Sequence, residues 1–380
     1  MAADREKPAP WPTFRGNAAQ TGVAASPLTD RLQLLWTYEA KSPIESTAAI
    51  QDGVVYVGTM KGELLAIDLA THKLKWPPYK AKGAIEGAPG IRDGKLFFGD
   101  RRGTFHAVNA ATGEKLWTFD TSGEIISSAN FTGENVLFGS YDHFLYCLSA
   151  DTGKIVWKFE TDAEVHASPC IADGAVVIAG CDAQLRLIDA ANGTQRGILQ
   201  LSFNVASSPA GDGKRIFVSC YDNHMFCVAP SGVLGPGEAH ALQKVWDVKA
   251  AEDVHFRASP AVSGDCVIFA GQDGLVRCMA KADGRELWTF RARDEIDSSP
   301  VIAGDRVFFG SNDGTLCALK VAYGAKVWSF AAGAEIAASP AIGEGRLVIG
   351  ARDGAVYCFG PAGSSSPAGA AELRRARGGG

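Results

Sequence analysis

Glu45, Glu86, Ile126, His166, Ala206, Arg257, Asp297 and Ala337 recur at intervals of about forty residues, and they hold the side chains in this chain best suited to chemistry. Carboxylates, a guanidinium and an imidazole brought to one level could grip a small polar ligand or an ion through charge-assisted hydrogen bonds. The candidate ligand-binding residues are therefore Glu45, Glu86, His166, Arg257 and Asp297. The same residues could equally form a solvated wall of paired charges. Just ahead of this set come Glu124, Glu164, His255, Glu295 and Glu335, which would give such a site an acidic rim attractive to a cation or metal.

Other chemistry finds less support. Ser168-Pro169, Ser208-Pro209, Ser259-Pro260, Ser299-Pro300 and Ser339-Pro340 repeat without singling out one serine, and no Gly-x-Ser-x-Gly elbow is present, so nucleophilic catalysis is not expected. The seven histidines (72, 106, 143, 166, 224, 240 and 255) lack His-x-x-x-His or His-Glu-x-x-His spacing. His166 and His255 could still meet across a ring. Tyr221-Asp222-Asn223 lacks the liganding run of a calcium loop. Asn130-Phe131-Thr132 and Asn192-Gly193-Thr194 match the glycosylation acceptor, a common pattern.

The elements that must position the candidates are set by tryptophan. Trp36, Trp76, Trp117, Trp157, Trp246, Trp288 and Trp328 follow one another at steps of 40, 41, 40, 89, 42 and 40 residues. A turn of the Asn192-Gly193-Thr194 type falls inside the long step and puts Gly197 where a Trp belongs, giving eight units. Periods of this size signal a repeat architecture. The unit at 295–330 shows three strands, 296–302, 306–310 and 315–319, ahead of the Trp strand at 326–330. Asp-Gly and Asn-Gly pairs between β-branched and aromatic runs are hairpin signals. They stand at Asp52-Gly53, Asp93-Gly94, Asp173-Gly174, Asp212-Gly213, Asp273-Gly274 and Asp353-Gly354.

The pattern predicts an all-β fold, an eight-bladed propeller of four-stranded antiparallel blades. The group at 336–359 lacks a Trp strand, whereas 32–39 is a Trp strand without a group, so 32–39 should complete the last blade and close the ring. First strands line a propeller's axis, which places the candidate residues in a central channel. Each Trp should fill the gap between blades, and Gly197 should leave its neighbourhood loose. The insertion 231–240 should project as a loop, residues 1–31 should lie across the fold with Trp11 and Phe14 as packing anchors, and 363–380 should be a disordered tail.

Net charge of −5 offers no electrostatic footprint for nucleic acid. No apolar run reaches the length of a membrane span. The first seven residues have no hydrophobic core, so the sequence as it stands reads as cytoplasmic and monomeric, with a periplasmic location if a signal was removed. Nine cysteines include Cys147, Cys227, Cys278 and Cys358 at one repeat position, where Ala66, Ala107 and Ala318 stand in other units. A site accepting either residue is a small packing site, so free thiols are expected.

The turn leading into each Trp strand carries a further signature. Ala107-Val108-Asn109-Ala110-Ala111-Thr112-Gly113 precedes Trp117, and Ala66-Ile67-Asp68-Leu69-Ala70-Thr71 precedes Trp76, with His72 in place of Gly. With the lead-in Trp11-Pro12-Thr13-Phe14-Arg15-Gly16, these units resemble the pyrroloquinoline-quinone-type (PQQ-like) propeller repeat over nearly all of 11–360. The resemblance implies either a non-enzymatic scaffold that binds another protein, as in outer-membrane barrel assembly, or a PQQ-binding quinoprotein oxidoreductase or small-ligand sensor with an axial site and calcium. The dehydrogenases' adjacent-cysteine pair is absent, as is Cys-x-x-Cys-His for haem c, and no lipoprotein signal is present. The expectation is a scaffold with a protein partner and no cofactor.

Overall fold

The computed structural model describes residues 9–172, 174–231, 241–250 and 254–361. Alternating apolar runs broken by left-handed turn glycines fold there into eight antiparallel sheets, the blades of a propeller. Blade 1 spans 49–80, blade 2 90–120, blade 3 130–160, blade 4 170–200, blade 5 210–249, blade 6 261–291 and blade 7 301–331. Blade 8 joins the two ends of the chain. Leu32–Glu39 pairs antiparallel with Ala355–Pro361, from Leu32 opposite Pro361 to Glu39 opposite Ala355. The expected closure is thus present. The predicted tail at 363–380 and most of the 231–240 insertion lie outside the described residues.

The tryptophans lock each blade to the next. The indole Nε1 of Trp76 donates to the carbonyl of Ala110 at 3.2 Å, Trp117 to Ala150 at 3.1 Å and Trp157 to Ala190 at 3.1 Å. Trp246 and Trp288 do the same to Lys281 and Val321, at 2.9 and 2.7 Å. Each ring lies flat against the turn glycine of the following blade. At Gly193, where φ is +75°, an added Cβ would stand 2.7 Å from the Trp157 ring, so only glycine admits this contact. His72 takes the glycine's place opposite Trp36; the rings stack at 5.5 Å, and the Trp36 Nε1 finds no partner among the described residues.

Directly across the sheet from each Trp stands a small residue: Ala107 for Trp117, Cys147 for Trp157, Cys227 for Trp246, Cys278 for Trp288 and Cys358 for Trp36. In blade 4 the pair is inverted, with Leu187 opposite Gly197. The lost indole is therefore partly made good by a larger neighbour, and Arg196 folds inward to only 3% exposure beside Asp189. All nine cysteines are free thiols.

Two expectations need correcting. The first strands were expected to pair from the residues nearest the axis, as at 296–302, but their ladders are short, Val301–Ala303 in blade 7. Proline has no N–H to give to a ladder there. A serine relay takes over. The N–H of Ser128 donates to Ser168 Oγ, Ser168 to Ser208, Ser208 to Ser259, Ser259 to Ser299 and Ser299 to Ser339, each at 2.9 Å. The repeated Ser-Pro serines thus hold neighbouring blades together at the axis.

The second correction concerns Trp76, which was expected within a full outer strand of blade 1. Pro77 and Pro78 break the ladder and leave only Tyr79–Lys80. A buried polar link compensates. Tyr79 Oη bonds His106 Nδ1 in blade 2 at 3.0 Å, and His106 Nε2 bonds Asp100 at 3.0 Å. Asp100 also accepts the N–H groups of Lys82, Gly83, Arg102 and Thr104 at 2.8–3.3 Å. Burial opposes ionisation of Asp100, but these donors, His106 foremost, hold its pKa below the ordinary value. Asp100→Asn should therefore cost about 2–3 kcal/mol at neutral pH, since an amide cannot accept all these bonds. The contribution is complete above the unfolded carboxylate pKa of about 3.9 and is lost as pH falls through the lower folded value. Urea melts of both forms should differ at pH 7 and converge in strong acid. An equal gap at both pH values would count against this account.

Residues 9–26 form a belt that makes one circuit of the disc. Glu344 of blade 8 donates its N–H to the Ala9 carbonyl, and Trp11 exchanges both backbone bonds with Ile50 of blade 1, all at 2.8 Å. Pro12 then accepts from Ile91 of blade 2 at 2.7 Å, and Thr13 Oγ1 donates to the Ala129 carbonyl of blade 3 at 2.7 Å. Ala18 and Ala19 accept from Ile171 and Gly211 of blades 4 and 5, and Thr21 and Gly22 from Val262 and Ile302 of blades 6 and 7. Ser26 Oγ returns to blade 8, accepting the N–H of Gly345 at 2.8 Å. Trp11 is 1% exposed, the packing anchor expected of it.

Candidate functional site: the axial cavity

The axial channel holds a cavity of about 590 Å3, within the range of small-molecule sites. Phe14 of the belt lines it, and Arg15 lies buried beside Phe14, donating from Nη2 to the Pro260 carbonyl at 2.8 Å. Burial without a carboxylate lowers the Arg15 pKa to about 9.

All five candidates, Glu45, Glu86, His166, Arg257 and Asp297, line this cavity, as do Ile126, Ala206 and Ala337. Sequence reasoning missed the second layer that engages them. This layer comes from the residues just after each second strand: Arg101, Tyr141, Cys181, Tyr221, Gln272, Asn312 and Arg352. Each sits before or within a turn and recurs with the same forty-residue step, which is the signal that could have found it.

The two layers pair across blades. Arg352 Nε meets Glu45 at 3.1 Å, and its Nη1 meets Glu335 of the rim. Arg101 lies 3.7 Å from Glu86 and 2.8 Å from Glu124. Each guanidinium is thus shared by two carboxylates. Asp297 accepts from Gln272 Nε2 at 2.9 Å and Asn312 Nδ2 at 3.1 Å, both neutral donors. Tyr141 Oη bonds His166 Nδ1 at 2.6 Å. His255 packs on the Tyr221 ring at 5.1 Å, so the expected meeting of His166 with His255 gives way to two separate Tyr–His pairs.

Ionisation follows from these contacts. Burial, reinforced by the positive charge of Arg257, lowers the His166 pKa and keeps the imidazole neutral at pH 7. Burial also raises Glu86, with Glu45 and Glu124 adding to the rise and Arg101 and Arg257 opposing it. Burial and the nearby Glu164 and Asp182 raise the Cys181 thiol, which disfavours a reactive thiolate there.

The quinone cofactor can be tested against these groups. Pyrroloquinoline quinone carries three carboxylates, whereas the cavity presents Glu45, Glu86 and Asp297, with Arg101 and Arg352 already engaged and Arg257 left to meet three anions alone. Among the described residues no group of three or more His, Cys, Asp or Glu is gathered to hold the accompanying calcium. The donor set does not fit a calcium-bound tricarboxylate.

A family model described as outer membrane protein assembly factor BamB matches residues 29–139, 101–231 and 239–373. The chain belongs to this family of PQQ-like propellers. Among solved structures, BamB from Moraxella catarrhalis is 18% identical, with a TM-score of 0.72 over 88% of this chain and 98% of that one. The quinohemoprotein alcohol dehydrogenase from Comamonas testosteroni is 15% identical, with a TM-score of 0.76 over 94% and 81%. The computationally designed Ika8 protein is 18% identical, with a TM-score of 0.75 over 87% and 100%. At these identities the likeness concerns the fold. No curated protein matches the chain.

Proposed function

We propose that this propeller is a non-catalytic scaffold that binds another protein through its circumference. The observation that carries this reading is an aliphatic residue repeated on the outer strands. Leu116, Val156, Val245, Leu287 and Val327 each sit on the β-bulge beside the Trp and are 41–47% exposed. Bulges protect edge strands from indiscriminate pairing. Their repetition at one register supports a contact surface that runs from blade to blade around the rigid frame. The family description, an assembly factor, agrees with work done by contact rather than by turnover.

Affinity purification from the source cells tests this. Intact protein should recover one stoichiometric partner, and Leu116→Glu/Leu287→Glu/Val327→Glu should lose it while melting at the same temperature. Equal recovery by both forms would overturn the rim as the docking surface, and recovery of no stoichiometric partner would overturn the scaffold.

A further inference from the structure

The axial cavity is unevenly furnished. Of the three guanidiniums lining it, Arg101 and Arg352 are each held by two carboxylates, and Arg257 has no ion-pair or hydrogen-bond partner among the described residues. On the adjoining first strand stands Asp297, a carboxylate met only by the neutral amides of Gln272 and Asn312. The two strands touch directly, since Ser259 N–H donates to Ser299 Oγ at 2.9 Å two residues further along each. A cation and an anion on adjoining strands therefore lack a direct ion-pair contact, and each feels only a more distant opposite charge, Arg257 that of Glu86 and Asp297 that of Arg352.

The wall on the other side of Arg257 is apolar. Ala206 holds the equivalent position in blade 5, and Tyr221 and Phe203, the latter 51% exposed, line the same cavity. An exposed phenylalanine in the lining offers apolar surface for a ligand to cover. A simple anion would suit Arg257, but it would meet the excess negative charge of the two clusters at the mouth, Glu45–Arg352–Glu335 and Glu86–Arg101–Glu124. A simple cation would suit Asp297 and be repelled by Arg257. A zwitterion with its two charges close together answers both, and an apolar body answers the wall.

We propose that the axial cavity is a binding site for a free α-amino acid with a large apolar side chain. Its carboxylate sits on Arg257, its ammonium on Asp297 and its side chain against Phe203, Ala206 and Tyr221. The site is independent of the circumferential surface, so the scaffold reading and this one stand or fall separately. His166, kept neutral by burial and held by Tyr141, adds a polar group to the same wall without adding charge.

Calorimetric titration of the full chain with L-phenylalanine, L-tryptophan and L-leucine tests the proposal. At least one should bind with one-to-one stoichiometry. Arg257→Ala and Asp297→Asn should each weaken binding by roughly tenfold or more, the scale of one charge-assisted contact. Ala206→Phe, which fills the cavity from the apolar side, should abolish binding, and all three variants should melt like the parent. Phenethylamine and 3-phenylpropionate, each missing one charge, should bind at least roughly tenfold more weakly than L-phenylalanine. The proposal is overturned if none of the three amino acids gives heat up to about 10 mM, a level that reports even very weak sites. It is also overturned if binding survives both charge substitutions unchanged, or if 3-phenylpropionate binds as well as L-phenylalanine.

Discussion

Deleting residues 1–39 should leave a chain that no longer forms the native disc. The deletion removes the outer strand of blade 8, which pairs with Ala355–Pro361 from Leu32 to Glu39, and takes Trp36 with it. Burial of one such tryptophan alone is worth about 3–5 kcal/mol. Each lost backbone hydrogen bond adds about 1 kcal/mol net, and more where the abandoned partner stays buried. The belt contributes further bonds to all eight blades, among them those of Ile50, Ile91, Ile171, Gly211, Val262 and Ile302. Together these losses match or exceed the roughly 5–15 kcal/mol that separates most folded domains from their unfolded state. Near-ultraviolet circular dichroism and calorimetry should show no cooperative native transition. Deleting only residues 1–26 should give a milder result, a closed ring with a lowered melting temperature. A melt of the 1–39 deletion that superimposes on that of the intact protein would refute closure by the first strand.

Trp157→Ala should be the most damaging single substitution between blades, at about 3–5 kcal/mol. The indole is 7% exposed, bonds the Ala190 carbonyl at 3.1 Å and covers the left-handed turn at Gly193. Truncation leaves a void on the face shared with blade 4 and strips that carbonyl of its donor. The next interface in the chain is the one that already lacks its indole, at Gly197, so blade 4 would be poorly anchored on both sides. Urea denaturation should show a lower midpoint, with the loss of blade 4 preceding the rest as a shoulder in the transition. A change below about 1 kcal/mol would mean that the ring tolerates a missing indole without help, and that Leu187 opposite Gly197 is not a compensation.

Much of this molecule was legible in the order of its residues because the repeat makes each position testable eight times. The Trp strands, the turn glycines and the Ala-or-Cys site across from each Trp were found by spacing alone, and the register explains why they recur together: a large ring needs a small neighbour. The axial candidates Glu45, Glu86, His166, Arg257 and Asp297 line one cavity for the same reason, since an equivalent repeat position returns to the axis in every blade. Their partners were not, because Arg101, Gln272, Asn312 and Arg352 adjoin turn residues and read as exposed loop. Only the inward curl of the second strand's end brings them over the axis. Pro77 and Pro78 follow Trp76 directly, and their two missing N–H groups decide that ladder against the repeat. The circuit of the belt had no signature at all. It is written mostly in backbone bonds, which carry no side-chain pattern, with Thr13, Arg15, Gln20 and Ser26 adding side-chain bonds at unrelated spacings.

The order in which the belt visits the blades has a consequence for how the molecule is made. After a first contact with blade 8, its bonds run through blades 1 to 7 and back to blade 8, and from blade 1 onward this is the sequence in which the blades leave the ribosome. A segment synthesised ahead of the blades can therefore act as a template on which each new sheet docks as it emerges, turning a ring of distant contacts into a succession of short steps. Only the last sheet must wait for a strand made more than three hundred residues before it. That single long-range event is where slow folding should concentrate.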